Sequence, residues 1–334
     1  MSVDIEQAEV RHRRKARRRR VLKIAGGAVA VAAVALTFAL RAPSPVGHWN
    51  SAQGQADYLA AYDEAMADMP RAAGTIDVRT GFGIVRVYRY EGQSDRAEPL
   101  VLLPGRASAS PVWAGNLPSL LKVGDVYTID LLGEPGRSVQ EVPITSDADQ
   151  AAWLDEVLAQ LPEKSFHVVG LSIGGWTAAN LAVHRPARVA TLTLIDPVYT
   201  FSDIPAGTAI RAIPASVPWL PKSWRDSFNS YTAGGAPVAD VPVADMIESG
   251  MKNYTLRLPQ PARIGEGALG ALKIPVLAIL AGNSVMHDAG SSRGVAERVL
   301  RSGTVKVYPG ASHAINGEHP DEIAADLAAF LAAS

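Results

Sequence analysis

The segment Ser165-Phe166-His167-Val168-Val169-Gly170-Leu171-Ser172-Ile173-Gly174-Gly175-Trp176-Thr177 contains the pattern Gly-x-Ser-x-Gly, from Gly170 to Gly174. An apolar run, Phe166 to Val169, leads in, and a small-residue helical pattern, Thr177 to Val183, leads out, so strand, tight turn and helix follow one another. A serine at the apex of such a turn is forced into a strained backbone conformation. Glycines two before and two after it remove side chains that would clash there. The Ser172 hydroxyl is therefore expected at the carboxyl end of a strand, with a helix N-terminus behind it that favours negative charge. A plain strand-to-helix turn can carry the same pentapeptide, and the flanking pattern is what favours the chemical reading.

Working outward, Leu100 to Leu103 reads as a fully apolar strand ending at Pro104-Gly105, and Val126 to Leu132 as another ending at Gly133. Thr75 to Arg79 and Ile84 to Tyr90 form a predicted hairpin around Thr80-Gly81-Phe82-Gly83. Helices are predicted over Ala56 to Met69, before Pro70, over Asp147 to Leu161, and over Pro320 to Ala333. Downstream strands are Val189 to Ile195, Ile274 to Leu280 and Val305 to Tyr308. Near-continuous apolar strands separated by helices imply an α/β fold, a mostly parallel sheet with helices on both faces. Reactive groups gather at the carboxyl ends of such strands.

One interval breaks the rhythm. Between Asp196 and Ile274 lie 77 residues holding nine of the 23 prolines, with Tyr199, Phe201, Trp219, Trp224, Phe228, Tyr231 and Tyr254. That is too long for a structureless loop in a compact domain, so a helical cap is expected at about 197–273. Its aromatics either line an apolar substrate pocket or pack the cap against itself.

The N-terminus differs in character. Residues 1–23 carry nine Lys/Arg against three acids, a net of +6, which leaves −7 for the rest of a chain whose total is −1. That balance argues against a body that binds nucleic acid. An uncharged apolar segment, 24–40, would span about 26 Å as a helix, against about 30 Å for a hydrocarbon core. The favoured reading is an uncleaved single-pass anchor in the cell membrane, with the basic segment cytoplasmic and the remainder outside. The alternative is an export signal, since Arg19-Arg20-Val21-Leu22-Lys23 resembles a twin-arginine motif, although Leu40-Arg41-Ala42 makes a poor cleavage site and Thr37-Phe38-Ala39 only a fair one. A basic arm before a buried core helix is disfavoured because no charge interrupts the apolar run. Residues 41–55, with Pro43, Pro45, Gly47 and Gly54, read as a linker, and 56–334 as the main domain. The 334 residues include no cysteine, which excludes disulfides and thiolate chemistry. No metal cluster and no nucleotide-binding glycine loop are apparent, so no cofactor is expected.

The order of elements, taken with the Ser172 turn, resembles the α/β-hydrolase fold family over about residues 75–334. Leu102-Leu103-Pro104-Gly105-Arg106 looks like the strand end that supplies part of that family's oxyanion hole, with Pro104 where His is common. Asp130-Leu131-Leu132-Gly133-Glu134-Pro135-Gly136-Arg137-Ser138 is similar to its Asp-x-x-Gly-x-Gly-x-Ser loop, with one extra residue between the glycines. Pro309-Gly310-Ala311-Ser312-His313, after the last strand, looks like its histidine loop.

The resemblance implies roles. Ser172 would be the nucleophile and His313 its base, with oxyanion donors at the backbone N–H groups of Ile173 and Arg106. Of the other histidines, His12 precedes the apolar segment, His48 lies in the linker, His167 is in the strand before Ser172, and His184 ends the following helix. His287 and His319 are the alternative bases, although a surface position is the plainer reading for each. The family's acid follows the seventh strand, where this chain offers Ser284. Asp196, in Leu194-Ile195-Asp196-Pro197, is therefore the candidate acid, the plainer reading being a turn-forming Asp-Pro. Asp288 is the alternative acid, although an N-cap role before Ala289 suits it better. The implied activity is hydrolysis of a small-molecule carboxylic ester with an apolar acyl group. An acyltransferase or perhydrolase on the same acyl-enzyme, and a catalytically inert binding module, remain open.

Overall fold

The computed structural model describes residues 44–94, 96–217 and 219–334. The basic segment 1–23 and the apolar segment 24–40 lie outside the described residues. Among those described, no helix is long and apolar enough to cross a membrane.

The chain opens with β1 (His48–Trp49) and α1 (Ala52–Met66), and continues through β2 (Gly74–Thr80), β3 (Gly83–Tyr90), β4 (Leu100–Leu103), α2 (Leu117–Leu120), β5 (Val126–Ile129), β6 (Val139–Gln140) and α3 (Asp147–Gln160). Next come β7 (Phe166–Leu171), α4 (Ile173–His184) and β8 (Val189–Ile195). The interval before the following sheet strand holds α5 (Ala206–Ala215), α6 (Lys222–Thr232), α7 (Pro242–Asn253), β9 (Tyr254–Thr255) and α8 (Glu266–Gly270). β10 (Val276–Ala281), α9 (Ala289–Val299), β11 (Gly303–Tyr308), α10 (Ile315–Glu318) and α11 (Pro320–Ala333) close the fold.

The main sheet runs β11-β10-β8-β7-β4-β5-β3-β2, with β6 paired to β3. From β11 to β5 the pairs are parallel, and β2, β3 and β6 add antiparallel pairs at one side. The sheet is therefore mixed, with a parallel centre. Every residue of β4, β5, β7 and β10 is buried, as strands covered on both faces must be. Side-chain alternation divides them between two cores. Val101 and Leu103 pack on one face with Trp153, Trp176 and Leu192. Leu100 and Leu102 pack on the other with Trp113, Val169 and Leu327.

Register does the work of assembling the site. Leu103 pairs with Gly170, Leu171 with Ile195, and Ile195 with Ile279, so the carboxyl ends of β4, β7, β8 and β10 lie side by side.

Several sequence-based boundaries move, each for a local reason. α1 begins at Ala52, inside the expected linker, because the Ser51 hydroxyl accepts from the Gly54 N–H at 3.0 Å and caps the helix. His48–Trp49, also expected as linker, pairs antiparallel with Tyr254–Thr255. β5 stops at Ile129: the Asp130 N–H still donates to the Arg86 carbonyl of β3 at 3.1 Å, but its carboxylate accepts from Ser110, Tyr62 and the Arg137 N–H, and Leu131 and Leu132 are buried but irregular.

Between β8 and β10, Arg225 of α6 is buried and bridges Glu248 of α7 through two nitrogens, each at 2.7 Å, while a third donates to the Leu220 carbonyl. The aromatics there do not converge on one pocket. Phe201 is buried in the main core, whereas Trp219 is 83% and Trp224 51% exposed.

Candidate active site

Ser172 joins β7 to α4 with φ 55° and ψ −116°, a conformation that is strained for any L residue. The neighbouring glycines explain how it survives. A Cβ on Gly170 would stand 2.2 Å from the Gly174 carbonyl oxygen, and one on Gly174 would stand 2.3 Å from that of Leu103. The turn is pinned from both sides: the Ser172 N–H donates to the Ile195 carbonyl at 3.0 Å, and the Trp176 N–H donates back to the Ser172 carbonyl at 3.2 Å.

The structure brings Ser172, His313 and Asp196 together in one line of hydrogen bonds. His313 Nε2 lies 2.9 Å from Ser172 Oγ, and its Nδ1 lies 2.5 Å from Asp196 Oδ2. The loop bearing His313 is itself tied down. The His313 N–H donates to the Thr232 carbonyl at 3.1 Å, and Ser312 donates from both its N–H and its hydroxyl to Glu318.

Asp196 sits at the carboxyl end of β8 with φ 43°, fully buried, its N–H donating to the Ile279 carbonyl at 2.7 Å. Its carboxylate collects four donors. Oδ1 accepts from His287 Nε2 at 2.6 Å and the Ala281 N–H at 2.8 Å, and Oδ2 accepts from His313 Nδ1 and the Ser284 hydroxyl, the latter at 2.7 Å. Burial opposes ionisation, but the hydrogen bonds from His287 and His313 outweigh it and hold the carboxyl well below the usual carboxylate range. Ser284, at the position where the family resemblance places an acid, instead donates its hydroxyl to Asp196. Asp288 stands apart as the N-cap of α9, its Oδ1 accepting from the Ser291 N–H at 2.7 Å.

His287 corrects the sequence reading. It is 3% exposed rather than a surface residue, because the chain after β10 turns inward and lays the ring on Asp196. Burial works against its charge, but the adjacent carboxylate prevails and raises its pKa. The only sequence signal was its place within the segment that follows β10, a segment that otherwise lacked a carboxylate before Asp288.

Ile173 opens α4, where backbone N–H groups have no carbonyl four residues back to accept them. Arg106 lies in the loop after β4, and a Cβ on the neighbouring Gly105 would come within 3.7 Å of Ser172 Cβ, so this loop passes directly over the serine. Glu134 is 2% exposed and braces the loop: Oε2 accepts from the Ala107 N–H at 3.1 Å, and Oε1 pairs with the Arg106 guanidinium at 3.1 Å. A small cavity beside them is lined by Arg106, Ile173, Glu134, Trp153, Trp176 and Leu258.

Comparison with known proteins agrees with this architecture. The family model for the alpha/beta hydrolase fold matches residues 98–235. An uncharacterized carboxylesterase, nap, of Bacillus subtilis is 24% identical over 277 residues, covering 79% of this chain and 88% of that protein. The crystal structure of carboxylesterase CesB (YbfK) from Bacillus subtilis superposes with a TM-score of 0.77 at 20% identity, covering 84% of this chain and 99% of the other. A bacterial membrane phospholipase A superposes with a TM-score of 0.64 at 18% identity, covering 93% and 98%.

Proposed function

We propose that this chain, a member of the α/β-hydrolase fold family, is a serine hydrolase that cleaves carboxylic esters through an acyl-enzyme on Ser172. The single observation that carries the reading is the chain of contacts from Ser172 Oγ through His313 to Asp196. In this reading His313 Nε2 takes the hydroxyl proton as Ser172 attacks the ester carbonyl, and Asp196 orients the ring and offsets the imidazolium charge. The Ile173 and Arg106 N–H groups receive the developing oxyanion, a service worth about 3 kcal/mol per donor. His313 then returns the proton to the leaving alcohol, and water releases the acyl group by the reverse sequence. Carboxylesterase relatives support ester hydrolysis as the reaction class.

A series of p-nitrophenyl esters of increasing acyl length tests this. A burst of one nitrophenolate per chain, lost in Ser172→Ala, is expected. Steady hydrolysis that persists in Ser172→Ala would contradict it.

We also propose that residues 24–40 anchor the chain in a membrane, with 1–23 cytoplasmic and the domain outside; the uncharged apolar run after a basic cluster supports this. Cell fractionation tests it: activity sedimenting with membranes, and released by protease added to spheroplasts, is expected. Activity in the soluble fraction of the full chain would contradict it.

A further inference from the structure

Each oxygen of Asp196 faces one imidazole and one further donor, and only one of those imidazoles touches Ser172. The second, His287, is buried, and its hydrogen bond to a side chain runs from Nε2 to Asp196 Oδ1 at 2.6 Å. An apolar side chain in the same space would leave that oxygen with the Ala281 N–H as its remaining donor. Of the charged and titratable groups, Asp196 faces the ring directly, Asp288 follows it in sequence, and His313 stands across the shared carboxylate.

We propose that His287 is a positioning residue of this site, holding Oδ1 of Asp196 so that Oδ2 stays aimed at His313 and tempering the pull of the carboxylate on the His313 proton. This rests on the serine-hydrolase reading given above. When His313 takes the Ser172 proton, it needs an anion in a fixed orientation on Nδ1. When it passes that proton to the leaving alcohol, it needs an anion that does not hold the imidazolium too tightly. A donor on the far oxygen meets both needs, because it fixes the carboxylate rotamer and draws part of its negative charge away from His313.

The test compares His287→Leu and His287→Gln in the full chain, with p-nitrophenyl butyrate as substrate. The glutamine amide reaches the position of Nε2 and keeps a donor there, whereas leucine only fills the space. Leucine is expected to lower kcat about 10- to 100-fold with KM within about twofold, the size usual for the loss of a hydrogen bond that orients a site residue. It is also expected to move the acidic limb of kcat/KM up by about half to one pH unit, since a carboxylate without this donor favours protonated His313 more strongly. Glutamine should recover most of kcat and most of the limb. If leucine prevents folding, glutamine is compared with asparagine, whose shorter amide falls away from Oδ1 and should behave as leucine does.

A leucine variant with wild-type kcat and limb would overturn the inference. So would glutamine and leucine impaired alike with the limb unmoved, which is what a space-filling ring would give, and so would asparagine equal to glutamine. Fluorophosphonate labelling of the wild type separates the two levels. Failure of Ser172 to label would remove the serine-hydrolase reading and this inference with it, whereas normal labelling alongside an indifferent His287→Leu would remove this inference alone.

Discussion

Asp196 and His313 are 117 positions apart in sequence, yet Oδ2 of the one lies 2.5 Å from Nδ1 of the other. The contact exists because β8 and β10 pair in parallel with Ile195 opposite Ile279, and because β11, which carries the histidine loop, lies on the far side of β10. An acid at the end of β8 therefore reaches the imidazole that an acid after β10 would otherwise meet. Replacing Asp196 with Asn should lower kcat about 10³- to 10⁴-fold, since the amide favours the wrong tautomer of His313. Asp288→Asn should change kcat less than about twofold, because the side chain only caps α9 and asparagine caps almost as well. Steady-state kinetics on the two variants checks both expectations.

The turn at Ser172 leaves no room for error at Gly174. An added methyl would stand 2.3 Å and 2.5 Å from the Leu103 and Pro104 carbonyl oxygens, both of them backbone atoms that cannot swing aside. Gly174→Ala should destabilise the domain by about 2–3 kcal/mol, as overpacking does, and should depress kcat by pushing the loop after β4 away from Ser172. Urea unfolding read alongside kcat tests this; a variant with unchanged midpoint and rate would show that the loop yields freely.

Arg225 and Glu248 tie α6 to α7 through two parallel hydrogen bonds with almost no solvent on the arginine. Removing one partner strands the other, at about 3–5 kcal/mol. Arg225→Ala should therefore loosen these two helices, seen as faster proteolysis between 220 and 253. Lysine should not rescue it, because an ammonium cannot span both carboxylate oxygens.

His167 lies in β7 with Nδ1 3.0 Å from the Thr191 hydroxyl and Nε2 unpartnered. Burial pushes it down to about 4, below about 6.5 for the unfolded chain. Fewer protons are bound folded than unfolded across that window, so its contribution to stability is lost as pH falls from about 6.5 to about 4 and is constant outside it. The loss is on the order of 2 kcal/mol once partial solvent access is allowed for. His167→Gln should flatten that part of the stability profile, measured as urea midpoint against pH.

The sequence was most informative where chemistry and local conformation coincide. The turn at Ser172 demands glycines at fixed offsets, and the His313 loop follows the last strand directly, so both positions could be read from neighbours in the chain. The acid was harder, because the stretch after β10 offers Ser284 where a carboxylate would be expected, and only strand register shows that Asp196 reaches the same imidazole. His287 was misread because a histidine between Met286 and Asp288 in a loop carries no periodicity, and its burial follows from how the chain folds back onto β8. The α1 boundary was misplaced for a smaller reason: Ser51 is an ordinary N-cap hidden by the glycine at 54.

The central claim, that Ser172 is a nucleophile activated by His313 and Asp196, is tested most directly by fluorophosphonate labelling of the protein and its Ser172→Ala, His313→Ala and Asp196→Asn variants. The account predicts stoichiometric labelling of the wild type, none in the serine variant, and labelling slowed at least about 10³-fold in the other two. Folded wild-type protein that does not label, or that labels equally well without His313, would contradict it.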